Sequence, residues 1–185
     1  MKNILLVITG PSGVGKGTLV NRLLKSGEFA LSISCTTRHP RPGEEHGKSY
    51  FFISKEEFLR RIEEGDFLEY DEHFKHYYGT PKSFVEEQLK EKTVILEIDV
   101  VGALNVKKRY PAAVLVIITP PSKEALYERL RGRGAENEEE IERRVARADY
   151  ELGESDKFDY VVENAELDEA EKRLREIINQ EKNRD

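Results

Sequence analysis

Four short apolar runs, Ile4–Ile8, Val94–Ile98, Val114–Ile118 and Tyr160–Val162, punctuate the chain. A strand with one wet face alternates apolar and polar residues, so unbroken runs predict strands covered on both faces, as in a parallel sheet. Segments with apolar residues at helical spacing separate them: Gly15 to Lys25, Val101–Arg109, Lys123–Arg131 and Leu167–Gln180. Pro111 stops the chain after the second, and Ser122 is placed to cap the third. The alternation predicts an α/β fold, a parallel sheet core flanked by helices.

Two stretches break this rhythm. Between residues 32 and 91 the pattern shortens to alternating segments such as Tyr50–Ile53 and Asp66–Tyr70, with a helix Lys55–Glu63 announced by Ser54 and Glu57 as a capping box. This predicts an inserted α+β subdomain, and the core is assigned to 1–31, 92–125 and 154–185. Residues 126–153 contain the break Gly132-Arg133-Gly134 and then a helix Glu138–Leu152, whose Asn137 cap and acidic first turn suit a helix N-terminus. A hinged helical lid is the expected use. The charged end Glu181–Asp185 is expected to fray.

At 185 residues the chain fits one domain, 38% hydrophobic and 36% charged, and no window is apolar enough to span a bilayer. Met1-Lys2-Asn3 leads straight into the first strand, leaving no room for a cleavable signal, and Cys35 alone makes no intrachain disulfide. The expected location is cytoplasmic. A net charge of −6 argues against coating nucleic acid, which directs attention to local clusters of charge.

The first cluster follows the first strand: Gly10, Pro11, Ser12, Gly13, Val14, Gly15 and Lys16. A buried strand ending in a glycine turn, with a helix beginning at a lysine, points backbone N–H groups and a helix N-terminus at one place, a cradle for an oligophosphate. A second phosphate site is read from Arg38 and Arg41, two planar forks on a loop stiffened by Pro40 and Pro42. Glu69 and Asp99 can only accept hydrogen bonds when ionised, so a pocket containing both favours a base edge that donates, as guanine does through N1 and N2. Arg133 lies between two glycines, where it could swing onto a transferring phosphoryl group; Arg129, Arg131, Arg143, Arg144 and Arg147 crowd the same region. His39, His46, His73 and His76 fit no metal-ligand spacing, and no zinc is expected.

These segments together resemble the guanylate kinases over nearly the whole chain. The resemblance is carried by Gly10–Thr18, Ser32–Gly43 with Glu44 completing its Thr-Thr-Arg-x-Pro-Arg-x-Gly-Glu pattern, Gly47–Phe52, Phe67–Tyr70, Tyr77–Thr80, Glu97–Gly102, Arg129–Gly134 and Asp159–Asn164. It implies a P-loop NTPase-type core, an inserted NMP-binding subdomain and a lid, and transfer of the ATP γ-phosphoryl group to GMP or dGMP. Arg38, Arg41, Tyr50 and Tyr78 would hold the GMP phosphate; Ser34, Glu69, Thr80 and Asp99 would read guanine. ATP would lie on Gly10–Thr18 with Arg129, Arg133 and Asn164, the last near adenine, and Lys16, Arg133 and Arg144 would stabilise the phosphoryl group in flight.

One position departs from the general loop: Gly17 stands where a Ser or Thr usually ligates Mg²⁺, and Thr18 is rotated by about 100° on the helix. Mg²⁺ is therefore expected on phosphate oxygens and water, with Glu97 and Asp99 in an outer shell and no direct protein ligand. Glu97 itself stands where relatives often carry Asp. Two rivals stay open from sequence: a non-catalytic phosphopeptide-binding module of the same fold, against which Lys16 and the intact loop argue, and a kinase of a sugar phosphate, which has no need of Glu69 and Asp99 together.

Overall fold

The structure is a computed structural model that describes residues 2–73, 75–132 and 138–184. At its centre is a five-stranded parallel sheet in the order β2-β7-β1-β8-β9. Its strands are β1 (Leu5–Thr9), β2 (Phe29–Leu31), β7 (Thr93–Glu97), β8 (Val114–Thr119) and β9 (Tyr160–Glu163). Successive side chains of β1 go to opposite faces. Leu6 and Ile8 pack with Leu19, Val20 and Leu23 of α1 (Lys16–Leu24) and with Leu174, Ile177 and Ile178 of α7 (Leu167–Lys182). Leu5 and Val7 pack with Val85 of α3 (Lys82–Leu89) and with Val100, Ala103 and Val106 of α4 (Val100–Arg109). That double burial is why the strands read as continuous apolar runs.

The four apolar runs are all strands of this sheet. The edge strand β2 was not among them, because it has three residues and only Phe29 is buried. Helix α3 was also missed; its N-cap is Pro81, which offers no side-chain cap. The C-terminal segment does not fray at Glu181 as expected. Helix α7 runs to Lys182, Tyr160 and Arg184 both donate to the buried Glu181 carboxylate, and the N–H of Lys2 donates to the carbonyl of Lys182 at 3.2 Å.

Residues 35–81 form a second, four-stranded sheet in the order β4-β3-β6-β5. It comprises β3 (Cys35–Thr36), β4 (Phe51–Phe52), β5 (Phe67–His73) and β6 (His76–Pro81). Helix α2 (Lys55–Glu63) lies on it, with Phe58 stacked on Phe67 at 4.4 Å between ring centres. Ser54 caps α2 as expected, accepting from the Glu57 N–H at 3.1 Å. The Glu57 carboxylate instead binds Arg60 and Arg61, so only half of the predicted box is made. Helices α5 (Lys123–Gly132) and α6 (Glu138–Gly153) bury Leu126, Leu130, Ile141, Val145 and Ala148 between them. The expected Asn137 cap lies outside the described residues.

Candidate active site

The loop leaving the carboxyl end of β1 carries the first group of candidates. Gly10 has φ +142°, and a Cβ there would sit 2.4 Å from the carbonyl oxygen of Ile118. Gly15 has φ +99°, and its Cβ would meet Asn164 Nδ2 at 2.5 Å. Both need glycine for conformation and for room. Lys16 opens α1 and folds over the loop, its ammonium donating to the carbonyls of Gly10 at 2.5 Å and Pro11 at 3.2 Å. Gly17 and Thr18 follow on the exposed face of α1.

Asn164 is built into the loop's support. Its amide Nδ2 donates to Val14 O at 2.8 Å, its N–H donates to Thr119 O at 2.8 Å, and its own carbonyl accepts from Arg129 at 2.8 Å. Arg129 also reaches Val14 O at 3.5 Å. The two residues thus brace the loop, and the buried Oδ1 of Asn164 has no hydrogen-bond partner among the described residues.

Arg144, exposed on α6, donates to the Ser12 hydroxyl at 2.5 Å. Arg133 lies outside the described residues. The loop and α6 enclose a cavity of about 530 Å³ lined by Lys16, Glu97, Asp99, Arg144, Arg147 and Glu151 among others.

A second cavity, about 400 Å³, shares Glu97, Ile98 and Asp99 with the first. Ser34, Tyr50, Glu69, Asp71, Tyr78 and Asn105 are among the other residues that line it. Asp99 is the N-cap of α4, its Oδ1 accepting from Gly102 N–H at 2.8 Å. Glu69 Oε1 accepts from the Thr80 hydroxyl at 2.6 Å; Thr80 is fully buried, so it meets the cavity through Glu69 and not directly. Burial raises the Glu69 carboxyl above its ordinary value; the Thr80 hydrogen bond opposes this, and the charge of Asp99 adds to it.

The two expected phosphate arginines differ in placement. Arg38 stacks over Tyr50 and Phe52, at 5.6 and 5.9 Å from the ring centres, and bonds Tyr78. The Arg41 side chain is exposed. A residue given no role from sequence, Glu44, joins them: it takes Arg38 bidentately at 2.9 Å and accepts from the Arg41 N–H at 2.7 Å. Its signal was its place at the end of the Arg-x-Pro-Arg stretch. Asn105, another missed residue, showed only as a polar position in an otherwise apolar turn of α4, and Arg147 was lost among its arginine neighbours.

No helix among the described residues is long and apolar enough to cross a membrane. A glycine loop after the central strand of a parallel sheet, opposite arginine-bearing helices and beside a second pocket, defines a P-loop kinase fold. The family model for guanylate kinase matches residues 2–181. Guanylate kinases of Caldanaerobacter subterraneus and of Synechocystis are each 51% identical over 183 residues, covering 98% of this chain and 89% and 96% of theirs. The crystal structure of guanylate kinase from Anaplasma phagocytophilum superposes with a TM-score of 0.73 at 32% identity, over 99% of this chain and 88% of that one. A shikimate kinase from Bacteroides thetaiotaomicron, 16% identical with a TM-score of 0.55 over 95% and 98%, shares the fold alone. The chain belongs to the guanylate kinase family.

Proposed function

We propose that the protein transfers the γ-phosphoryl group of ATP to GMP, and to dGMP, giving ADP and the nucleoside diphosphate in the cytoplasm as part of purine nucleotide metabolism. The observation that supports this most is the pair of cavities that share Glu97, Ile98 and Asp99, one over the glycine loop and the other lined by Glu69 and Asp99. In this reading ATP occupies the first and GMP the second, and their phosphates meet where the two cavities share residues.

The acceptor pocket reads guanine because ionised carboxylates accept from N1–H and N2–H, with Ser34 beside them. Adenine offers a bare acceptor at N1, which would leave a recessed carboxylate unpaired at a cost of about 1–3 kcal/mol. Thr80 acts by holding Glu69. Arg38, Arg41, Tyr50 and Tyr78 take the GMP phosphate, and Glu44 keeps the two arginines on one rigid turn.

On the donor side the loop N–H groups and Lys16 hold the ATP phosphates, with Arg129 and Asn164 bracing the loop and Arg133 and Arg144 supplied by the lid, residues 126–153. Phosphoryl transfer needs little covalent help, so the residues act by aligning the two substrates and neutralising charge. Lid closure excludes water and limits wasteful hydrolysis. The residues at hand fit Mg²⁺ carried in on phosphate oxygens: Glu97 and Asp99 stand on the cavity wall, and Gly17 has no hydroxyl to offer. Bound there, the ion supplies charge neutralisation to the phosphates.

The test is direct observation of products by phosphorus NMR from ATP and GMP, with Lys16→Ala as the control. Wild type is expected to form GDP and ADP in equal amounts, and the folded variant to lose at least about 100-fold in turnover. Consumption of ATP without GDP would reject the assignment.

A further inference from the structure

Helix α6 turns two arginines toward the site, and they go to different places. Arg144 bonds Ser12 in the glycine loop at 2.5 Å. Arg147, one turn on, brings Nη2 within 3.3 Å of Asp99 Oδ2, on the wall shared by both cavities. The buried Glu151 carboxylate holds Arg147 Nε at 2.9 Å, fixing the base of the guanidinium while its tip spans from lid to core. Asp99 has one oxygen committed to capping α4 through Gly102, so Oδ2, the oxygen Arg147 occupies, is the one left for a ligand.

We propose that Arg147 is an acceptor-sensing lid residue: it sits on Asp99 while the acceptor pocket is empty, and guanine releases it to turn further into the cavity over the glycine loop, which it already lines with Lys16 and Arg144, and to reach the phosphates there. The proposal rests on GMP being the acceptor. The guanidinium covers Oδ2 and pairs its charge, so the lid contact and base binding oppose each other, and by linkage each weakens the other equally. The displaced guanidinium is then delivered to the transferring phosphates only after the acceptor has arrived. This ties the cation's arrival to the presence of a substrate for the phosphoryl group.

The two consequences have opposite signs, which a purely structural role for Arg147 does not produce. The pair is solvent-exposed, with side-chain exposures of 63% and 38%, so its removal changes an affinity by no more than about five-fold and the effect is screened by salt. Titration calorimetry with GMP alone is expected to show Arg147→Gln binding about two- to five-fold tighter than wild type at low ionic strength, the difference vanishing near 1 M salt. With ATP and GMP saturating, the same variant is expected to turn over at least about ten-fold more slowly. Arg147→Lys, which keeps the charge, is expected to fall between in both measurements. Unchanged or weaker GMP binding in Arg147→Gln would overturn the competition, and unchanged turnover would overturn the delivery. A wild-type protein that binds no GMP would instead reject the acceptor assignment itself.

Discussion

Asn164 Nδ2 donates to the carbonyl of Val14 at 2.8 Å, joining the end of β9 to the glycine loop at the point where Gly15 leaves no room for a side chain. The loop is therefore held from outside as well as by its own turns. Asn164→Ala leaves the buried Val14 carbonyl with only the long 3.5 Å contact from Arg129 and is expected to cost about 1–3 kcal/mol of stability. ATP affinity should fall while GMP affinity, measured alone, stays within about two-fold. Equal losses for both nucleotides would show that Asn164 supports the core generally.

Gly15→Ala is expected to be worse, because φ +99° and a 2.5 Å approach to Asn164 Nδ2 penalise the same methyl group. Adding Asn164→Ala removes the approach but not the backbone strain. The double variant should therefore recover only part of the loss, read as the denaturant midpoint. Full recovery would mean that the left-handed conformation is not what requires glycine.

Gly17 presents the reverse case. Nothing lies within 4 Å of a Cβ at this position, which sits on the exposed face of α1. Gly17→Ser is expected to fold and to gain about 0.5 kcal/mol from helix propensity alone, without nucleotide. The new hydroxyl stands where the general loop has its Mg²⁺ ligand, so the dependence of ATP binding on Mg²⁺ should steepen. An unchanged Mg²⁺ dependence would show that the hydroxyl cannot reach the ion from this loop.

Glu69 carries a stability cost with a defined pH dependence. Its carboxyl is raised in the folded state, chiefly by burial, so the folded protein binds the proton more readily than the unfolded chain. Stability from this group is full below the ordinary carboxylate value, falls as pH rises to the raised folded value, and stays at its lowest above that. Glu69→Gln is expected to raise Tm at neutral pH, with the gain shrinking as pH drops toward 4. The same change should weaken GMP binding by about 1–3 kcal/mol, since an amide presents a donor where the base needs an acceptor. A Tm gain that persists undiminished at pH 4 would point to packing as its cause.

Cys35 is fully buried, and burial pushes its thiol up to about 11. It is expected to resist thiol reagents in the native state at pH 8 and to react only at the rate of unfolding. Labelling faster than amide exchange in β3 would show a local opening of the smaller sheet.

How much of this could be read from sequence follows from where each signal resides. The runs at Ile4–Ile8 and Val114–Ile118 announced central strands because burial on both faces leaves no polar position. Phe29–Leu31 had no such signature, since only its first residue is buried. Helix α7 was cut short because Glu181 read as a solvated charge, yet its stabilising donor is Tyr160, 21 residues earlier. The glycine loop was legible as contiguous residues, whereas the proposed acceptor pocket draws on Ser34, Tyr50, Glu69, Tyr78 and Asp99, which only the fold brings together. The Glu69 and Asp99 pair was read from the chemistry of carboxylates, and the roles given to the other positions came from resemblance to a family. Glu44 and Arg147 became visible when their partners, Arg38 and Asp99, were in place.

A coupled assay comparing GMP, dGMP, AMP and ribose bisphosphate as acceptors from ATP tests the central assignment most directly. Rapid transfer to GMP and dGMP is expected, with AMP and the sugar phosphate slower by at least about 10- to 100-fold, the factor set by leaving a recessed carboxylate unpaired. Equal rates on GMP and AMP would contradict a pocket that reads guanine through Glu69 and Asp99.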